Sequence, residues 1–73
     1  MERQAVESSV ILGVGYDSTT CVLEIEFRDG DVYLYFDFPE FLYRGLMLSV
    51  SKGQFFNRRI NGRYAFEQFR GGA

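Results

Sequence analysis

Two glutamates, Glu24 and Glu26, are the residues best placed for acid–base chemistry, because they alternate with apolar residues along one segment. Tyr33 and Tyr35 follow with the same spacing. General acid–base catalysis needs a carboxyl group whose pKa is raised by burial in a cleft. An open sheet face offers no such cleft, so we interpret both glutamates as solvated side chains beside the tyrosines.

Other catalytic and metal chemistry is excluded by composition. The sequence has no histidine and a single cysteine, Cys21. A Cys/His zinc site and the imidazole base of a catalytic triad are therefore missing. Asp17, Asp29 and Asp31 lack the spacing of a calcium loop, and no phosphate-binding glycine motif is present. We predict no enzymatic activity, no catalytic residue, no metal site and no cofactor.

The length and composition predict one small domain over residues 1–73, with a disordered tail at 71–73. Aromatic residues make up 18% of the 73 residues, and large rings bury enough area to stabilise a core of this size. A single cysteine cannot form an internal disulfide, so we predict a buried thiol and a cytoplasmic location. No apolar run is long enough to span a membrane.

The elements that position these residues begin with two hairpins. Asp29-Gly30 favours a two-residue turn, which pairs Ile25 with Leu34 and puts Tyr33 and Tyr35 on the opposite face from the core. A turn at Ser18-Thr19, or a longer loop there, places Val10, Leu12 and Val14 on the same apolar face as Ile25. The predicted strands are 9–17, 20–28 and 31–36.

Two helices follow, over about 39–48 and 52–60. Asp37 is a candidate cap for the first helix, and Phe41, Leu42 and Leu46 give it an apolar face. Ser51-Lys52-Gly53-Gln54 fits a capping box for the second helix, and Asn61-Gly62 ends it. Residues 64–69 form either a short strand or a last helical turn. The predicted fold is α+β: a three-stranded antiparallel meander with two short helices packed on one face.

Two surfaces are candidates for binding. Tyr33 and Tyr35 on an exposed sheet face would form a platform for stacking unpaired bases, unless the chain's end or a second subunit covers them. The second surface is basic, and its members are Lys52, Arg58, Arg59 and Arg63. The formal charge is −6 up to Pro39 and +4 from Glu40 onward, an asymmetry that either marks a charged partner or neutralises itself within the fold.

Taken in order, the residues resemble the KTSC domain, a short module named after the C-terminal extension of some lysyl-tRNA synthetases. The resemblance covers about residues 8–69. The segments that carry it include Val14-Gly15-Tyr16-Asp17, Tyr33-Leu34-Tyr35, Phe38-Pro39 and Ser51-Lys52-Gly53-Gln54-Phe55-Phe56-Asn57. The resemblance implies a small module without catalytic residues and, through the synthetase association, an RNA-binding role.

The sequence therefore predicts a non-enzymatic binding module with two alternatives for its partner. The first is nucleic acid, in particular RNA, bound by Tyr33 and Tyr35 or by the four basic residues. The second is another protein, bound by the tyrosine face or by an open sheet edge. The sequence leaves the oligomeric state open.

Overall fold

The structure, a computed structural model, describes residues 2–69, so the tail predicted at 71–73 lies outside the described residues. A five-stranded antiparallel sheet runs in sequence order, with the helices inserted before its last strand. The elements are β1 (Gln4–Ala5), β2 (Ile11–Asp17), β3 (Val22–Phe27), β4 (Val32–Tyr35), α1 (Glu40–Leu48), α2 (Lys52–Phe55), a π-helical turn (Phe56–Ile60) and β5 (Phe66–Phe69). The α+β fold is confirmed, and a strand rather than a helical turn forms at the C-terminal side.

The first hairpin keeps its predicted core face but has a longer loop. A two-residue turn at Ser18-Thr19 would pair Val14 with Leu23. Val14 instead lies opposite Ile25 and Tyr16 opposite Leu23, so the register is two residues away from that of the two-residue turn. A shift of two preserves the face of every side chain, because strand side chains alternate with period two. The loop ends at Cys21, whose φ is 59°. Cys21 is exposed, so the prediction of a buried thiol is wrong.

An irregularity near the start of β2 changes which apolar residues enter the core. Ile11 lies opposite Phe27, but Gly13 lies opposite Glu26, so Leu12 is an extra residue in a β-bulge. Ile11 is consequently buried, whereas Val10 and Leu12 are exposed. The predicted core set of Val10, Leu12 and Val14 is therefore wrong for its first two members. The bulge explains the change, because one added residue reverses the alternation before it.

The second hairpin reverses the predicted face of β4. Phe27 N donates to Asp31 O at 2.9 Å, and the loop between them has three residues and ends at Gly30, with φ 97°. This loop is one residue longer than the predicted turn and uses the positive φ that glycine allows. Tyr35 therefore lies opposite Leu23. A one-residue slip moves each side chain to the other face.

The predicted placement of the two tyrosines away from the core is therefore wrong. Tyr33 lies opposite Ile25 on the core face, and Leu34 lies opposite Glu24 on the outer face. The predicted pairing of Leu34 with Ile25 is wrong for the same reason. The glutamates consequently have apolar neighbours on β4 in place of the tyrosines.

The core lies between the sheet and the helical segment. Its buried members are Ile11, Val14, Leu23, Ile25, Tyr35, Phe38, Leu42, Leu46 and Ile60. The second helix is capped as predicted, because Gln54 N donates to Ser51 Oγ at 3.4 Å. It continues into the π-helical turn and ends before Gly62, with φ 77°. The predicted cap at Asp37 is wrong, since Pro39 occupies the N-cap position and no side-chain hydrogen bond caps it.

The segment that leads from β4 into α1 is attached to the first hairpin. Phe38 N donates to Cys21 O at 2.9 Å, and the Tyr16 hydroxyl donates to Phe38 O at 2.6 Å. The Tyr16 ring also stacks on Tyr43 of α1, with centroids 4.8 Å apart. The entry into α1 is therefore fixed by hydrogen bonds as well as by packing.

Candidate binding surfaces

The two charged halves of the sequence form the two layers of the fold. Residues 11–37, which form the central strands and their hairpin loops, contain six acidic residues and one arginine, a formal charge of −5. Residues 41–66, which form most of the helical segment, contain four arginines, one lysine and no acidic residue, a formal charge of +5. The protein therefore presents a basic helical side and an acidic sheet side.

On the outer sheet face, the acidic pair is already neutralised in part. Arg3 Nε lies 2.9 Å from a Glu24 carboxylate oxygen, and Arg3 Nη1 lies 3.5 Å from Glu26. The Arg3 side chain passes beside Gly13, where an added Cβ would lie 3.6 Å from Arg3 Cβ. Glu24 and Glu26 thus pair with an arginine from the N-terminal strand region, and they do not flank Tyr33 and Tyr35 as predicted.

Of the four predicted basic residues, three lie together. Arg58 and Arg59 are exposed at the end of the π-helical turn. Arg63 Nε donates to Arg58 O at 3.0 Å, which holds its side chain beside this turn. We call Arg58, Arg59 and Arg63 the basic surface. Arg59 also places its guanidinium carbon 6.0 Å from the centroid of the Phe55 ring, within the range of a cation–π contact.

Lys52 lies apart from the basic surface. Its Nζ donates to Ser49 O at 3.0 Å, and it lines a depression together with residues 7–10. Arg58 and Arg59 line a different depression, with Val50, Ser51 and Phe55. The fold therefore brings three of the predicted cations to one place and the fourth to another.

The helical segment also exposes large apolar side chains that the sequence analysis missed, and one of them, Val50, lines the same depression as Arg58 and Arg59. Phe41, Leu48 and Val50 are 72%, 84% and 102% exposed. We call these three residues the apolar patch. Phe41 was predicted to face the core, and its exposure shows that this prediction is wrong. Leu48 follows seven residues later and therefore lies on the same side of α1. Gly45 lies between them in the sequence, and an added Cβ there would lie only 3.0 Å from the Phe55 ring.

Tyr33 and Tyr35 lie in a cluster of five aromatic rings and do not form an exposed platform. Tyr35 is 3% exposed, and burial raises the pKa of its hydroxyl, with a smaller contribution from Tyr33. The two rings stack on one another with centroids 6.2 Å apart. Tyr33 is half-buried and faces a pocket of about 300 Å³. Since a base must reach an exposed ring face to stack on it, Tyr35 is unavailable for the predicted platform.

Among residues 2–69, no group of three or more His, Cys, Asp or Glu side chains is arranged to hold a metal ion. Within the same range, no helix has both the length and the apolar character needed to cross a membrane.

Comparison with known sequences and structures defines the class of this protein. The sequence model of the KTSC domain matches residues 7–64. The match includes β2 to β4 and both helices but ends before β5. The chain therefore belongs to the KTSC domain family.

Individual relatives differ in how much of their length the chain matches. A lysine–tRNA ligase of Nostoc punctiforme is 45% identical over 62 residues, which are 85% of this chain and 11% of the ligase. A protein of Tsukamurella paurometabola is 36% identical over 61 residues, which are 84% of this chain and 91% of that protein. The chain thus spans about a tenth of the ligase and nearly all of the second relative.

The fold also agrees with a solved structure of the same family. The crystal structure of a KTSC domain protein from Yersinia pestis superposes with a TM-score of 0.91 and 41% sequence identity. The superposition covers 93% of this chain and 96% of the other. The five-stranded sheet with its short helices is therefore the fold of the family.

Proposed function

We propose that this protein is a small non-enzymatic module of the cytoplasm that binds nucleic acid, in particular RNA, through its basic surface. The observation that carries the proposal is the clustering of Arg58, Arg59 and Arg63 on a side of the fold whose segment, residues 41–66, contains no acidic residue. Phosphate groups bind arginine through charge-assisted, often bidentate hydrogen bonds.

Two further features support a nucleic acid over other anions. Phe55 lies beside Arg58 and Arg59 in the same depression and is only half-buried, so an unpaired base has an aromatic ring within reach. The other support is the relative from Nostoc punctiforme, since it is named as a ligase for lysine and a tRNA. The matched segment forms about a tenth of that enzyme, so it belongs to a protein whose substrate is an RNA.

The proposal predicts salt-dependent RNA binding that depends on two arginines. Titration of a fluorescently labelled single-stranded RNA and a labelled tRNA should show saturable binding at low salt that weakens steeply as salt is added. Arg58→Ala/Arg59→Ala should weaken binding by about tenfold or more and lower the salt slope by roughly one per lost phosphate contact. The matched control is Arg44→Ala, because Arg44 pairs with Glu40 at 2.8 Å within α1.

Two results would contradict this function. One is the absence of binding to either RNA at high micromolar protein and low salt. The other is an equal loss of affinity in Arg44→Ala and Arg58→Ala/Arg59→Ala, since any basic residue would then serve and the basic surface would have no special role. Circular dichroism spectra of all variants establish that each is folded.

A second candidate function is binding to another protein, and the exposure of the apolar patch favours it. Exposed clusters of large apolar side chains commonly mark protein interfaces. For this candidate, Phe41→Ser/Leu48→Ser should abolish recovery of a partner by the tagged protein, whereas Leu12→Ser, at a residue 39% exposed on the opposite layer, should not. The same Phe41→Ser/Leu48→Ser variant should retain RNA binding, so that the two candidate functions are separated by one pair of measurements.

A further inference from the structure

The pocket beside Tyr33 combines aromatic walls with carboxylates. Five of the residues that line it are aromatic: Phe27, Tyr33, Tyr35, Phe56 and Phe66. Asp29 and Asp31 from the loop between β3 and β4 complete the rim and are the charged members of the lining among the described residues. We call this the aromatic pocket. It lies at the end of the sheet opposite the first hairpin loop, because the two loops join β3 at its two ends.

The rings surround Tyr33 on several sides. Phe27 meets it edge-to-face, with centroids 5.4 Å apart and planes at 83°. Phe66 lies 5.4 Å away with planes at 37°, and Tyr35 stacks behind it. Phe66 is 52% exposed, so the wall that it forms is accessible from solvent. The pocket therefore offers ring faces and edges to a ligand without rearrangement of the core.

The acidic rim is held in place by the backbone of the loop. Asp31 N donates to Asp29 Oδ1 at 3.0 Å, and Gly30 N donates to Phe27 O at 3.0 Å. Both carboxylates therefore lie on a loop with a defined conformation. The same local hydrogen bond occurs at the other end of β3, where Thr19 N donates to Asp17 Oδ1 at 2.9 Å.

These features select the charge of the ligand. The face of an aromatic ring carries negative electrostatic potential and attracts a cation within about 6 Å of its centroid. Two carboxylates on the rim add to that potential, and they repel phosphates. The aromatic pocket is thus unsuited to the nucleic acid that the basic surface would bind, and it is independent of that function.

We propose that the aromatic pocket binds an organic cation: an ammonium group carried on a short apolar stem. Its volume of about 300 Å³ is at the lower end of the range for small-molecule pockets and suits a small head group. The stem contacts the rings, and the charged head lies towards Asp29 and Asp31. Such a group occurs both in free quaternary amines and in lysine side chains of peptides, and the experiment distinguishes the two sources.

Choline and its neutral isostere, 3,3-dimethylbutan-1-ol, test the charge requirement directly. Ring and backbone resonances of the full chain are followed by NMR during titration with each compound. Choline should give saturable shifts at Tyr33, Phe66 and Gly62, a residue of the pocket lining, with a dissociation constant in the millimolar range. Affinity for the isostere should be lower by about fivefold or more. Equal affinity for the two compounds, or shifts that do not saturate, would overturn the proposal.

Variants test which residues recognise the cation. Asp29→Asn/Asp31→Asn should weaken choline binding by about tenfold while keeping the hydrogen-bond acceptor of the loop. Asp17→Asn removes a carboxylate from the equivalent turn at the other end of β3 and should leave binding unchanged. Phe66→Leu, at an exposed position, should weaken binding about threefold. A variant that binds as well as wild type after loss of both rim carboxylates would also overturn the proposal.

A blocked Gly-Lys-Gly peptide and its trimethyllysine form identify the source of the cation. A peptide that binds at least as tightly as choline, with the same residues shifted, indicates a lysine side chain of a partner. Binding of choline alone indicates a free quaternary amine. If neither peptide nor choline shifts Tyr33 or Phe66, the pocket does not bind ammonium groups and the inference fails.

Discussion

Replacing Phe38 by alanine should destabilise the protein by about 3–5 kcal/mol, the usual cost of removing a fully buried phenylalanine ring. Phe38 is 0% exposed, and its ring contacts Tyr16 and Tyr64, the latter with centroids 4.8 Å apart. Small proteins have roughly 0.05–0.15 kcal/mol of stability per residue. For 73 residues this amounts to about 4–11 kcal/mol, so the loss removes about a quarter or more of the free energy of unfolding and should markedly lower the urea concentration at the unfolding midpoint.

The matched control is Phe41→Ala, the same substitution three residues later. Phe41 is exposed on α1, so its free energy of unfolding should change by only about 0.5 kcal/mol or less. Urea unfolding followed by far-ultraviolet circular dichroism measures both values. Similar losses in the two variants would mean that Phe38 is not the packing centre between β4 and α1.

A rise in pH above about 10, the ordinary pKa of tyrosine, should destabilise the protein because two tyrosines are held in their neutral form. Burial raises the pKa of Tyr16 to about 12, with smaller contributions from Cys21, Glu40 and Asp17. Burial also raises the pKa of Tyr35. A tyrosine whose pKa is higher in the folded state retains its proton there while the unfolded chain loses it. Stability is therefore complete below pH 10 and declines as the pH rises towards 12.

The size of this decline is about 1.4 kcal/mol per pH unit for one fully shifted group. Tyr16 is only half-buried, so solvent screening reduces its share, and we expect a total loss on the order of 2 kcal/mol between pH 9.5 and 11.5. Urea unfolding at several pH values in this range gives the curve directly.

Tyr16→Phe should be less stable by about 1 kcal/mol at pH 8, because the Phe38 carbonyl loses its donor. It should also show a shallower decline. Identical slopes for the variant and the wild type would contradict the assignment.

Much of the fold follows from local signals in the sequence, and the errors in strand facing arise at the two hairpin loops and at the bulge in β2. The apolar alternation in β2 to β4, the Ser51 cap and the Asn61-Gly62 stop correctly predicted strands and helix ends. Each hairpin loop is longer than a two-residue turn, the first by two residues, as the alternative of a longer loop at Ser18-Thr19 allowed, and the second by one residue. The register shift of two residues in the first hairpin left Val14 on its predicted face. The shift of one residue in the second hairpin moved Tyr33 to the opposite face. The register of a hairpin depends on the length of its loop. The Asp29-Gly30 signal predicts the register correctly only if the loop contains those two residues and no others.

The sequence predicted only part of the candidate site. Arg58, Arg59 and Arg63 were identified because charge is visible in the sequence and the segment is short enough to keep them together. The aromatic pocket was missed, since it depends on the true register of β4 and on β5, which brings Phe66 beside Tyr33. The apolar patch was also missed.

The separation of charge between the two layers gives the molecule a permanent electric dipole moment. A formal +5 on residues 41–66 faces a formal −5 on residues 11–37. In the field of a polyanion such as RNA, the protein should rotate before contact so that the helical side leads, although its net charge is −2. An encounter thus orients the protein even where its overall charge is repelled.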